Sequence, residues 1–290
     1  MLKIKLNRTV VAVTGANGYV GNIICKALAE NCKVVRLLRS PVHQDDIAWE
    51  FGTDPIQIAS LLKSKNVTHL IHVAWDMTLN NETLLRKICL DGTESLYVSS
   101  NTAGIKNIIF ISTISAFDGA KSTYGRVKRS AEQITERFGG ATLRLGLVYG
   151  EGNGGMFESL SKTVAKGGVI PLIGTGRQVQ YLLHEACLVT LIRRTINCEL
   201  NPGFLPITVA DPESIQFRTL LKKIAKYNNK KIILVPIPWF FIYTLLKIIE
   251  FIGVKINFRS DSILSFIYQN PNPNFDLLEK LNIETKKFLQ

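Results

Sequence analysis

The stretch "TVVAVTGANGYVGNIICKALAEN", residues 9–31, admits few folds. Val10 to Val13 are apolar and rich in β-formers, while Val20, Ile23, Ile24, Ala27 and Leu28 follow at helical spacing. Between the two runs stand Gly15, Gly18 and Gly21. A buried strand that turns through three glycines into a helix leaves bare N–H groups at the helix start. The helix dipole there favours an anion such as a pyrophosphate. The spacing is G-x-x-G-x-x-G rather than G-x-G-x-x-G, so the reading rests on the turn's place directly after an N-terminal buried strand.

The pattern then repeats. "KVVRLLRS", "NVTHLIHVAW", "GIKNIIFISTIS" and "ATLRLGLVYG" read as strands. "DPIQIASLLKSK", "ETLLRKICLDGTESLYVSSNTA" and "YGRVKRSAEQITERF" read as the helices between them. Such alternation predicts an α/β fold with a Rossmann-type, doubly wound parallel sheet over residues 1–150. After Gly150 a glycine-rich loop, "GEGNGGMFES", opens a less regular region. Residues 151–290 are expected to form a smaller C-terminal substrate-binding domain, with segments near 177–190 and 204–226 returning to the first domain.

Composition narrows the function. The 290 residues are 46% hydrophobic and 20% charged, a globular balance with no disordered tail. Five scattered cysteines without C-x-x-C spacing, and no signal peptide, point to free thiols in a reducing, cytoplasmic setting. His43, His69, His72 and His184 lack zinc spacing, so no metal is expected. Net charge is +12. Between Arg218 and Arg259, nine basic residues (Arg218, Lys222, Lys223, Lys226, Lys230, Lys231, Lys247, Lys255 and Arg259) face one acid, Glu250. That excess suits a solvated basic surface, an anionic substrate or anionic lipid. No nucleic-acid recognition motif accompanies it. Within this region "PIPWFFIYTLLKIIEFIGV" is apolar around its helix, but Lys247 and Glu250 interrupt it. The preferred reading is a buried helix of the substrate domain; a peripheral membrane-surface helix is the alternative, and a true span fits least.

The end of the second strand bears on the cofactor. An acid there would hold a ribose 2′-hydroxyl, whereas an arginine accommodates a 2′-phosphate. Here Arg36 and Arg39 occupy that end, and no acid occurs before Asp45 and Asp46. NADP(H) is therefore expected ahead of NAD(H), with Arg39 as its reader.

Taken together, these stretches resemble the extended short-chain dehydrogenase/reductase family of nucleotide-sugar epimerases, dehydratases and 4-keto reductases. "TGANGYVG" looks like the family's cofactor turn, "LIHVAW" like its strand-four motif, and "FISTIS" like strand five. "YGRVK" matches the Tyr-x-x-x-Lys pair and "LRLGLVYGEG" the strand before the substrate loop. The resemblance implies that Gly15, Asn17, Gly18, Tyr19, Gly21, Arg39 and Ala74 hold the cofactor. It also implies that Thr113, with Ser112 as second choice, hydrogen-bonds the substrate oxygen. Tyr124 would give the proton, and Lys128 would tune Tyr124 and hold the nicotinamide ribose. Tyrosine ordinarily titrates near 10, so a neighbouring ammonium helps it exchange a proton near neutrality. A homodimer paired through helices is a further implication.

Departures from the family pattern bear on the substrate. Cys89 stands where the family often has Asn, and Trp75 where it has a second alanine. Gln180 and Tyr181 stand where an Arg-Asp pair is usual; either Arg177 or a C-terminal basic residue compensates, or the substrate is not the usual nucleotide sugar. Trp75, Tyr149, Asn153, Arg177 and Gln180 are the candidate substrate contacts, and Arg144 either pairs inside the sheet or reaches substrate. No Asp-Glu pair follows Thr113, which argues against dehydration. The sequence thus reads best as an NADPH-dependent reductase of a nucleotide-linked keto sugar. The alternatives are an NAD-dependent 4-epimerase, a reductase of a lipophilic ketone, or a non-catalytic nucleotide-binding subunit.

Overall fold

The computed structural model describes residues 9–79, 81–151, 154–197, 205–254 and 258–288. Strand β1 (Val10–Thr14) is buried along its whole length. Val11 and Val13 pack on one side with Ile24 and Leu28, while Val10 and Ala12 pack on the other with Leu62 and Leu96. A strand apolar on both faces is stable at the centre of a sheet covered on both sides.

The chain builds that sheet by alternation. Helix α1 (Tyr19–Ala29) leads to β2 (Lys33–Leu38), β3 (Ile47–Ala48), α2 (Pro55–Ser64) and β4 (His69–His72). Next, α3 (Glu82–Leu85) passes through a π-helical turn, Arg86–Leu90, into α4 (Asp91–Thr102). Strand β5 (Asn107–Thr113), α5 (Thr123–Arg137) and β6 (Ala141–Leu145) follow. The second half contains β7 (Leu147–Tyr149), α6 (Gly155–Ala165), β8 (Gly168–Ile173), β9 (Val179–Gln180) and β10 (Leu182–His184). It continues with α7 (Glu185–Ile196), β11 (Ile207–Val209), β12 (Ile215–Gln216) and α8 (Phe217–Tyr227). Strand β13 (Ile232–Ile237), α9 (Trp239–Phe251), α10 (Ser260–Ile267) and α11 (Asp276–Lys280) complete it.

Seven strands form one sheet in the order β11-β6-β5-β4-β1-β2-β3, and every neighbouring pair is parallel. The order reverses at β1, whose neighbours are β2 and β4. A ligand crevice is expected beyond the carboxyl ends of strands at such a reversal. Helices α1 and α7 cover one face, and α2, α4 and α5 cover the other. Both α7 and the edge strand β11 come from beyond Gly150, so the chain's second half returns to complete the sheet. The pairs β7–β10, β9–β12 and β8–β13 form separate two-stranded sheets.

Helix α9 departs from the expected buried helix, for none of its residues is fully buried. Its apolar character runs around the whole cylinder, but only one side rests on the protein, chiefly on α10.

Arg144 pairs inside the fold. It donates to both carboxylate oxygens of Glu132, at 2.9 and 2.6 Å, and Ser112 donates to the same carboxylate at 2.6 Å. Glu132 is 2% exposed, so its charge depends on these donors. Glu132→Ala is expected to destabilise the protein by about 3 kcal/mol or more, because Arg144 loses its counter-charge in a largely buried site. Glu132→Leu with Arg144→Met should recover most of that loss. Urea unfolding midpoints of the three proteins check both expectations.

Candidate active site

The glycine turn is a close-contact device. Gly15 adopts φ +64°, and a Cβ there would lie 2.8 Å from the amide nitrogen of Ala74. A Cβ on Gly21 would lie 2.2 Å from the Gly15 carbonyl oxygen, so only glycine lets α1 start this near β1. The Gly18 amide donates to the Gly15 carbonyl at 2.9 Å and closes the turn. Gly18 is the N-cap of α1, no side chain caps that end, and its first turn has no acid. Asn17 and Gly18 are exposed, and Tyr19 is half-buried against Gly154 and Gly155. These features fit an anionic diphosphate: a cradle with no room for side chains and an uncapped helix N-terminus. A cavity of about 440 Å³ adjoins the turn between α1 and β2, lined by Ala16, Asn17, Cys25, Lys26 and Arg36 among others.

A buried relay holds the turn to β4. The amides of Val73 and Ala74 donate to the Thr14 hydroxyl at 3.0 and 3.1 Å. Thr14 Oγ1 lies 2.8 Å from His72 Nδ1, and His72 Nε2 lies 3.1 Å from Thr93 Oγ1. Thr93 donates to the Cys89 carbonyl at 2.6 Å, so its oxygen accepts from His72 Nε2–H. Thr14 must then donate to Nδ1, and each ring nitrogen has its partner. Burial first, and the Lys128 charge second, pull His72 down to about 3, so the imidazole is neutral. The histidine of "LIHVAW" is therefore a structural post, stacked on Phe110 at 5.6 Å.

At the carboxyl end of β5 the neighbouring residues Ser112 and Thr113 part company. Ser112 is buried and committed to Glu132. Thr113 is half-exposed, with its side chain within hydrogen-bonding reach of the Tyr124 hydroxyl. Tyr124 sits in the first turn of α5, which Ser122 caps by accepting from the Gly125 amide. Burial pushes the Tyr124 hydroxyl up to about 12, and the bond to Thr113 opposes that rise.

Lys128, one turn along α5, is 3% exposed. Its Nζ donates to the Ile111 carbonyl at 2.8 Å and lies 4.2 Å from the ring centre of Trp75 and 4.5 Å from that of Phe110. Burial pulls its pKa down to about 7; the Cys89 thiol and Glu132 oppose that fall. Trp75 also meets Tyr124 edge-on at 6.4 Å, and its indole Nε1 is a buried donor with no partner among the described residues. Cys89 lies in the π-helical turn, buried near Lys128, and burial raises its thiol. Such turns inside helices are frequent at functional sites.

One contributor has no local sequence signal. Asp261, in the first turn of α10, accepts from the amides of Thr123 at 2.7 Å and Tyr124 at 2.9 Å. A carboxylate from the C-terminal segment thus anchors the start of the helix bearing Tyr124 and Lys128, where the dipole favours negative charge.

The remaining candidates lie elsewhere or are otherwise engaged. Tyr149 is buried among Phe157, His184 and Phe288, and its hydroxyl donates to the Lys286 carbonyl at 2.7 Å. The side chain thereby ties the C-terminal segment to β7. Gln180 is half-buried in β9, its amide donating to the adjacent Val179 carbonyl at 2.7 Å. Arg177 is exposed in the loop before β9, and Asn153 lies outside the described residues. Arg36 is locked to Asp46 by two bonds of 2.9 and 2.7 Å, while Arg39 is exposed just past β2.

Known proteins resemble this chain in sequence and fold. The model of the NAD dependent epimerase/dehydratase family matches residues 11–192. The chain is 25% identical over 260 residues to the UDP-glucose 4-epimerase of Vibrio cholerae, covering 79% of this chain and 78% of that one. It is 21% identical over 252 residues to N-acetyl-alpha-D-glucosaminyl-diphospho-ditrans,octacis-undecaprenol 4-epimerase of Escherichia coli O157:H7, covering 79% and 75%. It is 27% identical over 199 residues to the ceramide reductase of Caulobacter vibrioides, covering 64% and 60%. Among solved structures, the UDP-glucose 4-epimerase of Thermotoga maritima superposes with a TM-score of 0.67 at 18% identity, covering 79% and 86%. That family uses a nicotinamide cofactor, and its model spans well over half the chain, from the glycine turn through Tyr124 and Lys128. The chain therefore belongs to the NAD dependent epimerase/dehydratase family, as an NAD(P)-dependent enzyme of the oxidoreductase and epimerase type.

Proposed function

We propose that this protein reduces a keto group on a nucleotide-linked sugar with NADPH. The observation that carries the reading is the pairing of Tyr124 with Thr113 at the carboxyl edge of the parallel sheet. Thr113 donates to the carbonyl oxygen and orients it. Tyr124 gives its proton to that oxygen as the neighbouring carbon receives hydride, the chemistry the nicotinamide supplies when bound. Lys128 titrates near neutrality, which suits a group that returns the proton to Tyr124. Gly15, Gly18 and Gly21 hold the diphosphate, Ala74 backs the cofactor, and the unpaired Trp75 indole N–H is a ready donor to a ligand oxygen.

The preference for NADPH rests on the fate of the acids after β2. Asp46 accepts from Arg36 and from the amides of Val42 and His43. Asp45 is paired with Lys33 and Lys65. Both oxygens of Asp46 are thus committed, Asp45 is tied to two lysines, and exposed Arg39 offers a cation for a 2′-phosphate. A reductase draws on the NADPH pool at each turnover. The 4-epimerase relatives favour a second reading, transient oxidation and re-reduction of the sugar by a retained nicotinamide. Pairing of two chains through α4 and α5 is part of the same proposal.

NADPH consumption with a UDP-linked 4-keto-6-deoxy-N-acetylhexosamine tests the reaction; turnover of a UDP-hexose to its 4-epimer without net NADPH loss would favour the second reading. Tyr124→Phe should lower kcat by about 10²- to 10⁴-fold. Arg39→Ser should raise KM for NADPH by about 10-fold or more while leaving KM for NADH little changed. Lys128→Met should melt at a higher temperature than the wild type at pH 7. The wild-type lysine titrates near 7 when folded but near its ordinary value when unfolded. Between those values the unfolded chain binds the extra proton, so wild-type stability rises with pH and the gap should narrow from pH 7 towards pH 10.

A further inference from the structure

Helix α9 presents an unusual outer surface. Its inner side, with Ile242, Tyr243, Leu246 and Ile249, is half-buried towards α10. The outer side carries Phe241, Leu245, Ile248 and Ile252 at i, i+4, i+7 and i+11, all more than half exposed. Phe240 and Phe251 flank that stripe, Phe251 at 91% exposure. Strand β13 runs into this helix through Pro238, and its pairing with β8 sets exposed Ile233 beside exposed Val169. A large aromatic and aliphatic patch on one element marks an interaction surface rather than scattered exposure.

The surrounding charge identifies the partner. From Arg218 to Arg259 the chain carries nine cations and a single acid. That acid, Glu250, is turned inward, accepting from the Ser260 amide at 2.7 Å and hydroxyl at 2.8 Å. Lys230 and Lys231 are exposed at the entry to β13 and Lys222 and Lys226 on α8, while Lys247 on α9 itself lies 3.8 Å from Glu250. An exposed apolar stripe in a stretch of chain rich in exposed lysines, whose single acid is turned inward, matches a surface that is negative outside and apolar beneath. A second copy of the chain would bring like charges together across a two-fold interface. A 13-residue helix is about 20 Å long, short of a bilayer core, so it lies on the surface. Among the described residues, no helix is long and apolar enough to cross a membrane.

We propose that α9 docks in the headgroup layer of an anionic phospholipid bilayer, with Phe241, Leu245, Ile248 and Ile252 inserted and the lysines on the lipid phosphates. This surface goes beyond the reaction proposed above and does not depend on it. The test is flotation of the full chain with vesicles of phosphatidylcholine alone or mixed with phosphatidylglycerol, at low and high salt. The expected result is flotation with the mixed vesicles only, weakened by salt. Phe241→Ser with Leu245→Ser should abolish it. Lys230→Glu with Lys231→Glu should lower partitioning by about 10-fold or more and, being on the surface, decides the matter if the serine variant fails to fold by circular dichroism. The proposal is overturned if the chain stays at the bottom of the gradient with both vesicle types. Equal flotation with neutral vesicles overturns it too, as does flotation unchanged by folded variants. A salt-stable dimer that the serine variant dissociates, with no flotation, would assign the face to a second copy instead.

Discussion

The close backbone approach at the glycine turn sets the rest in place. With no side chain at Gly21, the start of α1 reaches the Gly15 carbonyl, and with none at Gly15 the turn lies against the Ala74 amide. Those contacts fix an uncapped helix N-terminus over the end of β1, the strand where the sheet order reverses. The neutral His72 relay then fastens that end to β4 and to the helix carrying Thr93. A charged imidazole could not accept from Thr14, so burial of the ring maintains the geometry as well as the tautomer.

Around this frame the chemistry is divided between adjacent residues. Ser112 and Thr113 point to opposite sides of β5, as strand geometry requires. One joins a buried ion cluster with Glu132 and Arg144, and the other meets Tyr124. Helix α5 serves both sides, for Glu132 lies one turn beyond Lys128. The lysine is held among Trp75, Phe110 and the Ile111 carbonyl, an apolar enclosure that disfavours its charge. Residues kept in such an environment trade stability for a pKa near the working pH.

The C-terminal region contributes more than a pocket wall. Asp261 anchors the first turn of α5, and Glu250 binds Ser260 beside it, so α9, α10 and α5 are mechanically joined. An outer face that touches lipid would thus be connected through α10 to the helix bearing Tyr124.

Much of the fold was legible because its signals are local. Apolar β-rich runs and helical apolar spacing, three glycines after a buried strand, and Tyr-x-x-x-Lys on a helix each span a few residues, and the alternation of strands and helices determined a parallel, doubly wound sheet. The sequence also marked Tyr124 and Lys128 as sharing a helix face, since four residues make about one turn. Contacts across long chain separations were decided only by the tertiary structure. Asp261 reaches α5 from 137 residues away, Tyr149 spends its hydroxyl on Lys286, and Asp46 takes Arg36 out of contention beside Arg39. Which of Ser112 and Thr113 faces Tyr124, and which side of α9 stays uncovered, depend on what packs opposite. A spacing rule fixes the periodicity of a helix or strand, but the neighbouring elements decide which of its faces meets protein and which meets solvent.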